Sequence, residues 1–198
     1  MEIIFEMNIL LIIGLPLWII IRGVILLFRR KKGDKLNLYK EIITNLFVIY
    51  LFILIGVTIF PLRIGSTIPY LSNMSILERY NINLIPFVDY YKNNISVKGV
   101  IRNVGNLILL SPFIFYLCIK FEKLRSIKLC MLTSFLISLS IELIQLFMNI
   151  LSLSYGRSVH TEDLILNTLG GIMAWYIFKY TYKGKFKDIL NYDKELVI

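Results

Sequence analysis

The sequence predicts an all-α fold, a polytopic integral membrane helical bundle of about five transmembrane helices. Of its 198 residues, 57% are hydrophobic and 18% are charged, and the mean hydropathy is +0.72. These values are typical of a multi-pass membrane protein and not of a soluble domain. Five apolar stretches also reach the ~20 residues that a helix needs to cross the hydrocarbon core. The net charge of +9 comes from basic residues in a few short loops, which indicates contacts with membrane lipids and argues against nucleic acid as a partner.

The predicted spans follow one another along the chain with polar connections between them. The first begins after MEIIFEM, which lacks the positively charged start of a signal peptide, and the RRKK at 29–32 ends it. Its apolar run also exceeds the ~7–15 residues of a signal-peptide core, so we expect it to remain as a membrane helix. The five predicted spans are residues 8–28, 42–62, 100–119, 129–151 and 164–182.

The distribution of lysine and arginine predicts the orientation of these spans. Basic residues are concentrated in the first loop, the third loop and the carboxyl-terminal segment, and they are sparse in the second and fourth loops. Because cytoplasmic loops carry the excess of positive charge, we expect the amino terminus outside and the carboxyl terminus in the cytoplasm. The basic residues assigned to the inside are Arg29, Arg30, Lys31, Lys32, Lys35, Lys40, Lys120, Lys123, Arg125, Lys128, Lys179, Lys183, Lys185, Lys187 and Lys194, and those assigned to the outside are Arg63, Arg79, Lys92, Lys98 and Arg157.

The outer loop at 63–99 is too long for a simple turn and is only partly polar. It contains the stretch NINLIPF at 81–87, in which Pro86 prevents a regular helix. We expect this stretch to lie over the helix ends as an interfacial or re-entrant segment. The N–H and C=O groups of irregular backbone near the membrane need hydrogen-bond partners from protein or water, and the side chains of Asn81 and Asn83 can supply them.

A polar stripe runs along the fourth predicted span. Its members recur at spacings of three and four residues, which places them on one face of a helix. An ionised side chain at mid-bilayer costs at least ~2.5–3.5 kcal/mol, so this face should line a shared, partly hydrated pocket. The stripe consists of Ser134, Ser138, Glu142, Gln145 and Asn149.

The third and fifth spans carry polar pairs near the same predicted end. The members of each pair lie one helical turn apart, on one face. We therefore expect three helices to build one outward-facing polar funnel with Glu142 at its floor. The alternative is a structural plug, in which the same residues only hold the helices together by interhelical hydrogen bonds. The pairs are Arg102 with Asn106 and Asp163 with Asn167, and Asn103 lies beside the first pair.

Glu142 requires either a proton or a cation, because an isolated buried carboxylate is unstable as an ion. Arg102 and Arg157 are the arginines placed to pair with it. Arg157 belongs to the short connection at 152–162, which we expect to fold back over the mouth of the funnel. If the protein is an enzyme, the candidate catalytic residues are Glu142 and Asp163.

Other chemistries receive no support from the sequence. It contains no GxSxG, HExxH, P-loop or Cys/His-cluster motif. The sole histidine, His160, stands beside two carboxylates without the spacing of a zinc site, so we interpret it as a polar surface residue and expect no metal and no cofactor. Gly170, Gly171 and Ala174 form a small-residue face, which predicts close packing of the fifth helix against a neighbour.

At these residues the chain resembles the VanZ-like family. The resemblance covers about residues 42–182, and its elements stand in the family's order at the ends of membrane segments. One departure lies at 158–162, where the family often has an aromatic and an acid after the arginine, and this chain has Val159 and His160. The matching elements are NLIPF at 83–87, RNVGN at 102–106 with Pro112, ELIQ at 142–145, GR at 156–157 and DLILNTLGG at 163–171.

The resemblance implies a multi-pass protein of the bacterial cytoplasmic membrane, some of whose relatives lower susceptibility to teicoplanin and similar lipoglycopeptides. We expect three parts: an amino-terminal helix with a basic cytoplasmic loop at 1–41, a VanZ-like membrane domain at 42–182, and a cytoplasmic tail at 183–198. The resemblance also adds Asn83 to the candidate residues. The candidate binding residues are Asn83, Arg102, Asn103, Asn106, Glu142, Gln145, Arg157, Asp163 and Asn167.

We expect a non-enzymatic protein whose funnel binds a lipid-anchored envelope molecule, such as a lipid-linked precursor, or the drug itself, and so limits access of the drug to its target. Arg102 and Arg157 would then bind phosphate or carboxylate groups of the ligand. One alternative is an integral-membrane enzyme that acts on an extracellular lipid-linked substrate with Glu142 or Asp163 as acid or base. Another is a small permease with Glu142 as a proton site.

Overall fold

The computed structural model describes residues 3–34, 36–65, 74–91, 96–153, 157–184 and 187–188. Its helices are α1 (Met7–Lys31), α2 (Leu38–Ile59), α3 (Ile76–Arg79), α4 (Val88–Tyr91), α5 (Val97–Leu109), α6 (Ser111–Lys120), α7 (Ile127–Ile150) and α8 (Thr161–Thr181), and a 3-10 turn, Glu122–Arg125, joins α6 to α7. The strands are β1 (Ile3–Phe5), β2 (Leu62–Ile64), β3 (Ile82–Asn83) and β4 (Val159–His160). The predicted all-α bundle is confirmed. The predicted topology residues Lys35, Lys92, Lys185 and Lys194 and most of the predicted tail lie outside the described residues.

Within the described residues, four segments are long and apolar enough to cross a membrane: α1, α2, α5 with α6, and α7. The chain is therefore a multi-pass membrane protein. The fifth predicted span corresponds to α8, whose 21 residues reach roughly 30 Å. It has Glu162 and Asp163 in its first turn and Lys179 in its last, which makes it less apolar than the others. A count of five spans stays a prediction.

The third predicted span consists of two helices with a break at Leu110, where φ is −89° and ψ is −7°. Pro112 explains the break, because it has no N–H and its ring conflicts with the carbonyl group one turn earlier. The hydroxyl of Ser111 donates to the carbonyl oxygen of Gly170 in α8 at 2.9 Å. The break thus fastens α8 to the junction of α5 and α6.

Close packing of α8 against its neighbours is confirmed at the paired glycines. A Cβ atom on Gly170 would lie 1.9 Å from the carbonyl oxygen of Leu107 in α5. A Cβ atom on Gly171 would lie 2.0 Å from Oγ of Ser134 in α7. Both glycines are buried, so α8 approaches two helices at once through a surface without side chains.

A buried carboxylate holds α1 and α2 together near the loop between them. Glu41 is 9% exposed and accepts hydrogen bonds from Nε of Arg22 at 2.9 Å and from Nη1 of Arg29 at 2.8 Å. One turn further along α2, Nε1 of Trp18 donates to Oδ1 of Asn45 at 2.9 Å. The two helices therefore share a paired-charge cluster at this end of the bundle.

The opposite end, here called the cavity end, gathers the short strands. β1 pairs antiparallel with β2, and β3 pairs parallel with β4. The backbone N–H of Arg63 in β2 donates to the carbonyl oxygen of Leu153, just after α7, at 2.8 Å. At the other end, Nη2 of Arg125 donates to the hydroxyl of Tyr182 at 3.3 Å. β1 and the end of α8 therefore lie at opposite ends of the bundle.

Candidate functional site

A polar cavity of about 250 Å³ lies at the cavity end, where α2 and α7 finish and α8 begins. Its walls come from α2, α5, α7, α8 and the connection before α8. Polar side chains from separate parts of the chain converge there, so the structure brings most of the candidate residues together. Those that line the cavity are Arg102, Asn106, Glu142, Gln145, Arg157, Asp163 and Asn167.

The polar stripe of α7 is buried along its length, which confirms that the spacing marks one inward face. Ser134 and Ser138 are fully buried. Oγ of Ser138 accepts a hydrogen bond from Nδ2 of Asn167 in α8 at 3.0 Å. Further toward the cavity end, the Nε2 group of Gln145 donates to the carbonyl oxygen of Thr58 in α2 at 3.2 Å. The stripe therefore joins α7 to both α8 and α2.

Three buried side-chain atoms at the cavity have no hydrogen-bond partner among the described residues: Nδ2 of Asn106, Oδ1 of Asp163 and Oδ1 of Asn167. Asp163 is 8% exposed and Asn167 is 1% exposed. Leaving such a group unpaired costs about 1–3 kcal/mol, so native structures rarely keep several together. Two of the three atoms are hydrogen-bond acceptors, which gives this side of the cavity a preference for donor groups.

The predicted ion pair between Arg102 and Glu142 is wrong. The Nη2 group of Arg102 instead forms an ion pair with Oε1 of Glu162, and its Nη1 group lies 3.3 Å from Nε2 of His160. Oε2 of Glu162 accepts a hydrogen bond from the backbone N–H of Phe87 at 2.7 Å. Glu162 is 3% exposed and lies in the first turn of α8, where the helix dipole favours a carboxylate. Arg102 therefore pairs with Glu162 and not with Glu142.

The predicted pairing of Arg157 with Glu142 is also wrong. The two terminal nitrogens of Arg157 donate to the carbonyl oxygens of Val57 at 2.9 Å, Thr58 at 2.7 Å and Phe60. These carbonyl groups belong to the last turn of α2 and its cap, where intrahelical donors run out. Burial lowers the pKa of the Arg157 guanidinium, and the negative end of the α2 dipole favours its charge. Arg157 lines the cavity chiefly as a cap of α2.

Glu142 has a backbone partner in place of an arginine. Its Oε2 accepts a hydrogen bond from the N–H of His160 at 3.3 Å, and within the described residues it forms no ion pair. His160 is 8% exposed, so the interpretation of this histidine as a surface residue is wrong. Its Nε2 lies 2.5 Å from Oγ of Ser158. Glu142 and Asp163 therefore face one cavity, and no cation in the described part of the chain is bonded to either.

The remaining candidate residues lie beside the cavity and organise its cover. Nδ2 of Asn103 donates to the hydroxyl of Tyr90 at 3.4 Å. Oδ1 of Asn83 accepts from the N–H of Ile85 at 3.3 Å, and its carbonyl oxygen accepts from the hydroxyl of Thr161 at 3.3 Å. Asn103 and Asn83 are thus placed to position the segment over the cavity.

The stretch at 81–87 lies over the ends of α7 and α8, as expected of an interfacial segment. Nδ2 of Asn81 donates to the carbonyl oxygen of Arg157 at 3.0 Å. Nδ2 of Asn149, at the end of α7, donates to the same oxygen at 3.2 Å and to the carbonyl oxygen of Tyr80 at 3.1 Å. Asparagine side chains therefore satisfy irregular backbone here, which is the role predicted for Asn81.

Sequence reasoning did not select Glu162, Ser158 or the carbonyl groups at the end of α2. Glu162 carries a detectable signal, because a carboxylate in the first turn of a helix next to Asp163 can attract a cation from another helix. Backbone carbonyl groups carry none, since every residue has one. Among the described residues, no three His, Cys, Asp or Glu side chains lie close enough to hold a metal ion.

The stretch of the chain that matches a family model contains the whole cavity. The family model described as VanZ/LLP1 matches residues 47–182, from the middle of α2 to the end of α8. The curated proteins and solved structures compared with the chain give no match. The matched range exceeds half of the chain and includes each residue that lines the cavity. This chain therefore belongs to the VanZ/LLP1 family, a family associated with antibiotic resistance.

Proposed function

We propose that this protein lowers the susceptibility of a bacterium to teicoplanin and related lipoglycopeptides from a position in the cytoplasmic membrane. In this proposal the polar cavity faces outward and binds a lipid-anchored envelope molecule or the drug. The observation that carries it is the group of unpaired polar atoms at the cavity, on Asn106, Asp163 and Asn167. A structural plug offers no reason for such atoms to collect around a cavity, whereas a bound polar group would satisfy them.

The contacts of Arg102 and Arg157 differ from the expectation that these residues bind phosphate or carboxylate groups of the ligand. Arg102 is engaged by Glu162, and Arg157 is engaged by the end of α2. Neither guanidinium presents a free fork for a phosphate group. In this proposal Asn106, Asp163 and Asn167 contact the ligand directly, and the two arginines hold the walls of the cavity in place.

The second candidate is an enzyme that acts on an extracellular lipid-linked substrate. It is favoured by one observation, namely that Glu142 and Asp163 line the same cavity. One carboxyl group would donate a proton to the leaving group while the other accepts one. An enzyme changes the profile of lipids or wall precursors in expressing cells, and a binding protein leaves that profile unchanged.

Susceptibility tests at matched membrane abundance examine the binding proposal. Asp163→Asn and Asn106→Leu remove cavity groups with little change in volume, and both should abolish protection against teicoplanin. Ser140→Ala is the matched control, because Ser140 is exposed on α7 and its hydroxyl donates to the carbonyl oxygen of Leu136 in its own helix. Protection that follows protein abundance alone in all three variants would instead favour the structural plug.

Profiling of lipids and wall precursors in the same strains separates the two candidates. We expect indistinguishable profiles in cells that express the wild type, Asp163→Asn or an empty vector. A new product that requires Asp163 and Glu142 would replace the binding proposal with the enzyme.

A further inference from the structure

A second concavity lies beside the polar cavity, in the part of the bundle that crosses the membrane. It is a groove of about 480 Å³ between α2, α6 and α8. Its lining is apolar and includes Phe47, Phe115 and Ile177. Because this face of the bundle contacts hydrocarbon, the groove is suited to an acyl chain.

The groove and the cavity share two walls, α2 and α8. On α2, Tyr50 lines the groove and Val57 lines the cavity; on α8, Ala174 lines the groove and Asn167 lines the cavity. Each pair is separated by seven positions, which is about two helical turns, so its members lie on one face roughly 10 Å apart. The cavity therefore lies directly above the groove, toward the cavity end of the bundle.

The break between α5 and α6 lies between the two concavities. Leu109, the last residue of α5, lines the cavity, and Ser111 and Pro112 line the groove. The hydroxyl of Tyr50 donates to the carbonyl oxygen of Leu109 at 2.7 Å. This carbonyl group lies where the continuous helix is interrupted, and the hydrogen bond marks the boundary between polar and apolar walls.

Arg102 and Arg157 also line the cavity, but its two carboxylates favour a cationic group. Glu142 and Asp163 have no ion-pair partner among the described residues, because the nearby arginines are bonded elsewhere. Charge interactions strengthen in a medium of low dielectric constant, so an ammonium group would be bound firmly between the two carboxylates. The unpaired Oδ1 atoms of Asp163 and Asn167 would accept its N–H groups.

We propose that the cavity and the groove form one site for a membrane lipid with an ammonium-bearing head group, whose acyl chain occupies the groove. This inference rests on the proposed function in taking the polar cavity as the binding site, and it names the ligand class. A lipid is chosen over the drug because the groove opens sideways: Leu46 and Ile177 at its edges are 60% and 51% exposed. A chain can enter from the bilayer without leaving hydrocarbon.

Native mass spectrometry of the purified full chain tests the inference. The protein receives equal amounts of phosphatidylethanolamine and phosphatidylglycerol with identical acyl chains. We expect phosphatidylethanolamine to be bound in preference by at least about tenfold, since a desolvated charge pair contributes that much or more. Asp163→Asn and Glu142→Gln should each remove most of that preference. The ratio is measured within each folded population, so a loss of stability does not imitate the result.

The groove has its own variant and a matched control. Ile177→Trp should fill the groove and reduce binding of both lipids while the ratio between them persists. Leu136→Trp should leave binding unchanged, because Leu136 is also 51% exposed but lies on α7 outside the groove. Equal binding of the two lipids, or equal effects of the two tryptophans, would overturn the inference.

Competition with teicoplanin identifies the occupant. We expect an equal concentration of the drug to leave bound phosphatidylethanolamine in place, and displacement would assign the site to the drug. The lipid ratio is measured without cells, so its failure is separate from a failure of antibiotic protection. Protection without lipid selectivity would retain the proposed function and reject this ligand class.

Discussion

Arg102 and Glu162 show at the scale of single residues how a buried charge selects its partner. Glu162 is nearly inaccessible and already accepts a hydrogen bond from the N–H of Phe87, which holds its carboxylate in place. Arg102 reaches it from α5, 60 positions away in the chain. Among the residues that the structure describes, Glu142, which lies deeper on α7, keeps only a backbone donor.

We therefore predict energetic coupling between Arg102 and Glu162. Replacing either residue, by Arg102→Gln or Glu162→Gln, should destabilise the protein by about 1–3 kcal/mol, because a buried polar group loses its partner. The side chain of Arg102 is 34% exposed, so the lower half of that range is expected. The double variant should recover part of the loss, as measured by thermal unfolding in detergent. The Arg102/Glu142 cycle serves as the control and should be additive.

Arg157 leads to a second prediction at the residue scale. Arg157→Lys keeps the charge but loses the planar fork that reaches Val57, Thr58 and Phe60 together. We expect it to lower stability by about 1–3 kcal/mol and to reduce the amount of protein in the membrane. Quantitative blotting and thermal unfolding measure both effects. A variant of wild-type stability that has lost protection would instead make Arg157 a ligand-binding residue.

The element that organises the site is α8. It presents two carboxylates and Asn167 at the cavity end, and the paired glycines below let it approach α5 and α7 closely. The cavity therefore depends on contacts made outside it. Its geometry should respond to changes in packing that leave its own side chains untouched.

Gly170→Ala tests this dependence. Its Cβ atom would meet a backbone oxygen, which cannot rotate away as a side chain can, so α8 must shift from α5. We expect destabilisation of about 1–3 kcal/mol and reduced antibiotic protection per molecule. Gly105→Ala on α5 is the control: its Cβ atom meets no atom within 4 Å, and alanine favours a helix. Equal stability of the two variants would contradict the close approach of α8.

For the whole molecule, the main prediction concerns orientation. In a background with Cys118→Ala and Cys130→Ala, a single cysteine at Lys98 should react with an impermeant thiol reagent on intact cells. A single cysteine at Lys123 should react only after permeabilisation. Both lysines are exposed; Lys98 lies in the first turn of α5 and Lys123 follows α6, so they mark the two ends of one span. The reverse pattern would place the polar cavity in the cytoplasm.

The sequence by itself determines where the membrane helices lie and which faces are polar. Span limits follow from apolar length, and the stripe from Ser134 to Asn149 follows from helical spacing, because both are properties of a contiguous segment. The same spacing on the third and fifth spans identifies the residues that meet at the cavity. Predicted and observed ends of α7 differ by no more than a few residues.

Tertiary structure alone decides the partners of the charges. Whether Arg102 meets Glu142 or Glu162 depends on how α5 is placed against α7 and α8, and contacts between distant parts of the chain, such as that of Gly170 with Leu107, set this placement. Arg157 binds backbone carbonyl groups at the end of α2, and no side-chain pattern marks those acceptors. Spacing along one helix is local, whereas the choice among nearby donors and acceptors requires all the helices in place.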